Sequence, residues 1–331
     1  MSLLLQAKDF LHNREMINIK RLRKKEDAFQ SFVGLNVKEF DELLKAVEPK
    51  YVAHRRVKLS REGRQRGIGA GRKASLTVEQ KLVMVMMYLR LYVTQTLLGF
   101  LFDVDETTVG REIKRMLPVL IQVLPVPTRN LLFEARSAAQ QAEQRIQNLE
   151  ELLLQYPELK ELRLDATEQP VRQPEDKGDR RDRYSGKQHD HTVKTQALTS
   201  DQCILHIVGQ VPGRMHDVLV AHGSGVLQMI PPDRRVDVDR GYQGADKFAP
   251  SVNLLKPVRK VRGAKVTLFG KVFNRMVSSL RMPVEHLFAK LKKFNILAQC
   301  YRGDWYVHED IFAVVAGLIN FRALGRLLWS P

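Results

Sequence analysis

Arg281, Glu285 and Lys292 stand four and then seven positions apart near the C-terminal end of the chain. Those spacings place all three on one face of an α-helix. Pro283 would either kink such a helix or mark its first turn and leave Arg281 just outside. Taken alone, Arg and Glu four apart support any solvated helix. Two more acids change the chemistry on offer. Asp165 falls in 162–167, which alternates like a half-buried strand, and Asp239 ends a second such run at 234–239. Two strand-borne acids and one helix-borne acid could converge at one edge of a sheet. Three carboxylates there repel one another unless cations neutralise them, and hard oxygen donors that leave room for water and phosphate select Mg2+ or Mn2+. Two such ions about 3.5–4 Å apart would activate an attacking oxygen and stabilise a leaving one in an in-line phosphoryl displacement. Cutting and rejoining DNA strands is natural chemistry for that arrangement.

The composition agrees with a polyanionic partner. Lys and Arg number 54 against 37 Asp and Glu, a formal charge of +17 with a pI near 9.9. Nucleic acid is the commonest such partner and an anionic membrane surface the second. No run approaches the ~18 consecutive apolar residues of a membrane span. The apolar start at Met1 is soon broken by Lys8 and Asp9, too short for a signal peptide, so the expected location is inside a cell. Cys203 and Cys300 lie far apart and read as small buried hydrophobes rather than a disulfide or zinc site. The 331 residues suggest about two domains.

The elements that must position these residues follow in order. Residues 1–53 read as a helical region in which Asn36 and Glu39 have capping-box spacing and Pro49 ends the helix. Residues 54–74 form a basic, Gly-rich linker, with Arg55, Arg56, Arg64 and Arg66 able to lie along a phosphate backbone. Thr77 and Gln80 open an apolar helix. A second helix at 95–102, a turn at 103–105 and a third helix at 106–117, stopped by Pro118, resemble a helix-turn-helix within a domain spanning 75–130. Its second helix would present Thr107, Thr108, Arg111, Lys114 and Arg115 to a DNA groove. Residues 131–160 hold an amphipathic connecting helix, at about 134–155. From 161 to 331 the pattern turns to strands at 162–167, 191–199, 203–209, 234–239 and 252–255, with a projecting charged loop at 172–187. A short helix follows 211–217, and a basic loop includes Lys256 and Arg259. Helices then occupy 271–293 and 308–328. Strands followed by helices with mixed connections imply an α/β fold with a mixed sheet.

The words around the acids are specific. Leu164-Asp-Ala-Thr-Glu168, Tyr184-Ser-Gly-Lys187, His191-Thr-Val-Lys194, Pro212-Gly-Arg-Met-His-Asp217 and Asp239-Arg-Gly-Tyr-Gln-Gly244 run in order through the C-terminal half. In these blocks the chain resembles the DDE transposases of bacterial insertion sequences, in the branch similar to the eukaryotic Harbinger transposases. Arg281, Glu285 and Lys292 fit the related signature Tyr-x2-Arg-x3-Glu-x6-Lys, with Ser278 at the Tyr position. The resemblance implies an RNase H-like catalytic domain in which Asp165, Asp239 and Glu285 bind two Mg2+ or Mn2+ ions. It also implies that Arg281 and Lys292 contact DNA phosphates, and that the enzyme excises and joins strands. Lys187, Lys256 and Arg259 are further candidate DNA contacts. His216 and Asp217 read as a helix cap, not as catalytic residues.

The reading is therefore a transposase that binds the terminal inverted repeats of an insertion sequence, and target DNA, through its helix-turn-helix. A homodimer or higher assembly on DNA is expected, with no membrane association, in the bacterial cytoplasm at the nucleoid. Two rivals are a helix-turn-helix regulator without catalysis and an RNase H-like endonuclease that cuts without joining.

Overall fold

The computed structural model describes residues 17–60, 75–129, 149–258 and 267–327. Arg64, Arg66, Arg259 and most of the connecting helix fall outside them. The chain divides into two compact units. One runs to Val123 and takes in Phe294–Ile296; the other runs from Leu124 to Lys293 and resumes at Leu297.

The first unit is helical: α1 Ile19–Arg23, α2 Glu26–Val33, α3 Val37–Leu59, α4 Val78–Leu91, α5 Gln95–Phe102 and α6 Glu106–Val123. Asn36 and Thr77 cap α3 and α4 with both halves of a capping box in place. Neither proline stops its helix, contrary to expectation: Pro49 lies inside α3 and Pro118 inside α6. An interior proline costs about 3 kcal/mol, and each apolar side chain buried beyond it returns roughly 1.5–3 kcal/mol. Beyond Pro118, Val119, Leu120 and Val123 are all buried. Beyond Pro49, Tyr51 is buried, donates to the carboxylate of Glu112, and accepts from Lys81 Nζ at 3.2 Å. Residues 54–59 therefore continue α3, and Arg55 and Arg56 sit on a helix rather than in a flexible linker.

Helices α5 and α6 are joined through Asp103, which caps α5 in the left-handed region at φ 51°. A Cβ on Gly99 would meet the Val104 carbonyl at 2.5 Å, so the tight turn needs a glycine there.

The second unit holds β1 Thr128–Arg129, α7 Leu149–Gln155, β2 Glu161–Pro170, α8 Lys177–Arg183, β3 Tyr184–Ser185, β4 Asp190–Thr199 and β5 Ile204–Pro212. It continues through α9 Asp217–Ser224, β6 Arg235–Val238, β7 Asn253–Leu255, α10 Leu268–Leu280, α11 Met282–Lys292 and α12 Trp305–Leu324. The sheet order is β1-β5-β4-β2-β6-β7, with β3 paired to β4. Strands β2, β4 and β5 form an antiparallel meander, and β6 and β7 join β2 in parallel. The sheet is thus mixed, as the strand and helix pattern implies. Its core gathers Leu162 and Leu164 of β2, Val236 and Val238 of β6, and Leu149, Leu152 and Leu153 of α7. Helix α12 is buried at His308 and from Ile311 to Phe321. The Asn320 amide there exchanges hydrogen bonds of 2.8 Å with both backbone groups of Ile204 and fixes α12 against β5.

Three further expectations shift. The charged 172–187 segment is not all loop: Asp176 caps α8 by accepting from Asp179 N, and Tyr184 pairs with His191. The helix expected over 271–293 is two helices broken at Arg281, because Pro283 has no N–H to carry the ladder through. Cys203 is buried but Cys300 is exposed, beyond the short turn Asn295–Ala298. Among the described residues no helix is long and apolar enough to cross a membrane.

Candidate active site

Parallel pairing of β2 with β6 runs in register up to Leu164 opposite Val238. The next residue on each strand is an acid, Asp165 on β2 and Asp239 just past β6. Adjacent strands lie about 4.8 Å apart, so the two backbones deliver their carboxylates side by side at one edge of the sheet. Both acids are half-buried. Asp165 is 15% exposed. Its Oδ1 accepts from the backbone N–H of Ala166 at 2.8 Å, and its Oδ2 accepts from an Arg281 guanidinium N–H at 2.6 Å. Burial pushes its carboxyl above the ordinary range. Arg281 and the Ala166 N–H pull against that shift, and Asp239 adds to it.

Asp239 caps the 3-10 turn Arg240–Tyr242 and accepts from Gly241 N at 2.7 Å. A Cβ on Gly241 would stand 2.9 Å from Asp239 Oδ1 and 3.0 Å from Asp217 Oδ2, so only glycine leaves both carboxylates in place. Tyr242 is fully buried beneath them, its oxygen accepting from Gln196 Nε2 at 2.9 Å. Burial drives its phenol well above the usual value, and the charges of Asp217, Asp165 and Asp239 push the same way.

Asp217 is the acid that the sequence reading set aside. It opens α9 as its first residue, next to the N-cap His216, whose side chain makes no capping bond. The Asp217 carboxylate instead takes Lys194 Nζ at 2.7 Å. Lys194 is buried, also donates to the Met215 carbonyl at 2.6 Å, and lies 3.7 Å from Glu168. The one signal for this grouping was the block 212–217, which carries the Asp beside the His.

Glu285 occupies the first turn of α11, with Pro283 among the first two positions and Arg281 as the cap. Helix α11 packs against β2. Pro283 thus marks a helix start, and Arg281 reaches Asp165 while Glu285 stays exposed. Arg281 was expected on DNA phosphate; here its guanidinium is held by the first acid. Among the described residues no group of three His, Cys, Asp or Glu stands close enough to hold a metal ion. Asp165 and Asp239 do fit a hard dication in donor chemistry: both offer carboxylate oxygens, and Asp165 resists ionisation even with Arg281 attached. The Arg281 Nε is buried without a hydrogen-bond partner, so this guanidinium is only partly committed.

The remaining candidates are dispersed. Ser278 is exposed on α10, and Lys292 is exposed in the last turn of α11. Lys187 is exposed in the turn between β3 and β4, and Lys256 pairs with Asp246. In the helical unit Thr107, Arg111 and Lys114 lie exposed along α6, with Arg111 donating to the Thr107 carbonyl and hydroxyl at 3.0 Å each. Thr108 and Arg115 are half-buried, and Arg115 donates to Glu112 at 2.7 Å.

The described DDE superfamily endonuclease family matches residues 164–320, and the helix-turn-helix of DDE superfamily endonuclease matches 74–125. The chain is 29% identical over 252 residues, 76% of its length and 83% of the relative's, to a probable transposase for insertion sequence element IS702 from Microchaete diplosiphon. Two solved structures are similar at 8% identity. A Mos1 transposase paired-end complex with left transposon end covers 79% of this chain and 85% of that one, with a TM-score of 0.20. A pre-cleavage Mos1 transpososome covers 81% and 85%, with a TM-score of 0.19.

Proposed function

We propose that this chain, which belongs to the DDE superfamily endonucleases and carries their helix-turn-helix, is the transposase of an insertion sequence. It binds DNA and cleaves it. In this reading α6 enters a groove of the element's terminal inverted repeats through Thr107, Thr108, Arg111, Lys114 and Arg115. Arg55, Arg56, Arg64 and Arg66 lie along the phosphate backbone of the same repeats, Lys292 takes a phosphate near the cut, and Lys187, Lys256 and Arg259 are further DNA contacts. The observation that carries the reading is the in-register delivery of Asp165 and Asp239 to one sheet edge, next to the helix start that bears Glu285.

Asp165 and Asp239 would hold the divalent cations, with Glu285 as the third ligand. Two Mg2+ or Mn2+ ions, when bound, supply Lewis-acid stabilisation of the attacking and leaving oxygens. The chain's own residues set the stage. Ala166 N–H and Gly241 N–H orient the two aspartates. Lys194 neutralises Asp217 and keeps it from adding to the repulsion. Arg281 offsets the charge of Asp165 and is close enough to the cut to take a phosphate oxygen in its place. Bringing two DNA ends to such sites calls for a dimer or larger assembly on DNA.

The test is cleavage of a labelled duplex carrying the repeats that flank the gene, with and without Mg2+. Wild type cuts only with the cation and yields joined product. Asp165→Asn and Glu285→Gln each lose about a hundredfold or more, since the cation contributes several kcal/mol of transition-state stabilisation. Cutting that survives Asp165→Asn would sink the proposal. Cutting without joining would leave an endonuclease.

A further inference from the structure

Away from the acids, α8, β3 and β4 border a shallow, open hollow in the same unit. Its charged lining is cationic: Lys177, Arg180 and Arg181 from α8, and Arg214 from the segment after β5, alongside Tyr184, Gly186 and His191. Lys177, Arg180 and Arg181 have no ion-pair partner among the described residues. Arg214 meets one carboxylate, Asp182, at 3.9 Å, and Asp179 is taken by Arg183 at 3.2 Å. Arg180 is exposed, and its Nε donates to the Pro174 carbonyl at 2.6 Å, which holds the base of its fork. None of α8 is buried, so these charges serve no core.

Tyr184 makes the hollow more than a charged patch. It is 44% exposed, and it packs edge-on against His191 with ring centroids 5.7 Å apart. Strand pairing of Tyr184 with His191 sets that position. An exposed aromatic face among unpaired cations is the combination that binds single strands, where each base offers a face for stacking and each phosphate a charge. A paired duplex offers no free base to such a ring.

We propose that this hollow binds a single-stranded DNA segment, with its phosphates on Lys177, Arg180, Arg181 and Arg214 and one base on Tyr184. The proposal rests on the strand-cleaving reading above: a cut strand has an end that can fray from its complement and leave a few unpaired nucleotides. The reach is suitable. His191 lies six residues along β4 from Ala197, the register partner of Asp165. At about 3.4 Å per residue that is roughly 20 Å, a distance that a few nucleotides cover.

The test needs no cleavage. The full chain, in EDTA, is titrated by fluorescence anisotropy with a labelled oligothymidylate of about twelve nucleotides, and separately with a duplex of the same length. Tyr184→Ala weakens oligothymidylate binding about tenfold, whereas Tyr184→Phe keeps it. Arg181→Gln weakens it too and lowers the slope of log K against log salt by about 0.7. Duplex affinity in all three stays within about twofold of wild type, since the helix-turn-helix carries it. Unchanged oligothymidylate binding in Tyr184→Ala, or a matching loss on the duplex, would overturn the proposal. Either result leaves the cation-dependent cleavage assay with Asp165→Asn to decide the endonuclease reading separately.

Discussion

The surroundings of Asp165 work against its charged form. Burial and Asp239 raise its carboxyl, and Arg281 with the Ala166 N–H recover only part of the difference. For an acid whose folded pKa is raised, the stabilising contribution is complete below the unfolded pKa and is lost as pH rises through the folded one. Asn at this position is neutral throughout. Asp165→Asn should therefore melt higher than wild type at pH 7 without divalent cation, and the gap should close below about pH 4. Adding Mn2+ should reverse the ranking. A cation at a hundred times its Kd stabilises the protein that binds it by about 2.7 kcal/mol, and the variant lacks one ligand. A thermal series over pH, with and without Mn2+, checks both signs; no cation-dependent gain in wild type would mean that these acids do not bind one. Gly241 serves the same residues by a different route, since its missing Cβ leaves room for Asp239 and Asp217 together.

At the scale of elements, local signals were legible and tertiary ones were not. The capping boxes at Asn36 and Thr77, the tight turn after Phe102 and the strand bearing Asp165 depend on neighbours within a few residues and stand where the sequence put them, while Asp239 falls one residue past its strand, as the cap of a 3-10 turn. The prolines misled because what outweighs them is distant: Tyr51 meets Glu112 and Lys81, and Val119, Leu120 and Val123 reach the core. The Arg281 contact with Asp165 spans 116 positions, and the grouping of Asp217, Lys194 and Tyr242 needs three separate elements, so neither leaves a local trace. The first of these networks is testable by itself. Glu112 is 4% exposed and Lys81 5%, and burial lowers the Lys81 pKa while Glu112 opposes that shift. Glu112→Ala removes the ion-pair partner of Lys81, 3.9 Å away, and the acceptor of the Tyr51 hydroxyl, at a cost of about 3 kcal/mol in urea unfolding at pH 7. A lysine with a lowered folded pKa binds fewer protons than the unfolded chain as pH approaches 10, so stability rises there. The shift is larger without Glu112, so the deficit should narrow with rising pH. A constant deficit would mean that Lys81 is not the group left unpaired.

For the whole molecule the governing quantity is the charge of +17 and where it acts. Each phosphate neutralised on a duplex contributes about −0.9 to the slope of log K against log salt, so the slope counts contacts irrespective of sequence. The two units divide the work in the proposed reading: the helical one positions the duplex and the mixed-sheet one cuts it. Arg111 and Lys114 lie exposed on α6 with no acidic partner among the described residues, whereas Arg115 is drawn back onto Glu112. Arg111→Ala and Lys114→Ala should each weaken duplex binding and shallow the slope by about 0.9, and Arg115→Ala should change the slope least of the three. Asp165→Asn, which removes a negative charge from the other unit, should leave the slope and affinity as they are while cleavage is lost. Anisotropy over a salt series on a repeat-bearing duplex reads all four variants. If the α6 variants keep the wild-type slope and Asp165→Asn alters it, the mixed-sheet unit holds the duplex and the assignment of α6 to the groove fails.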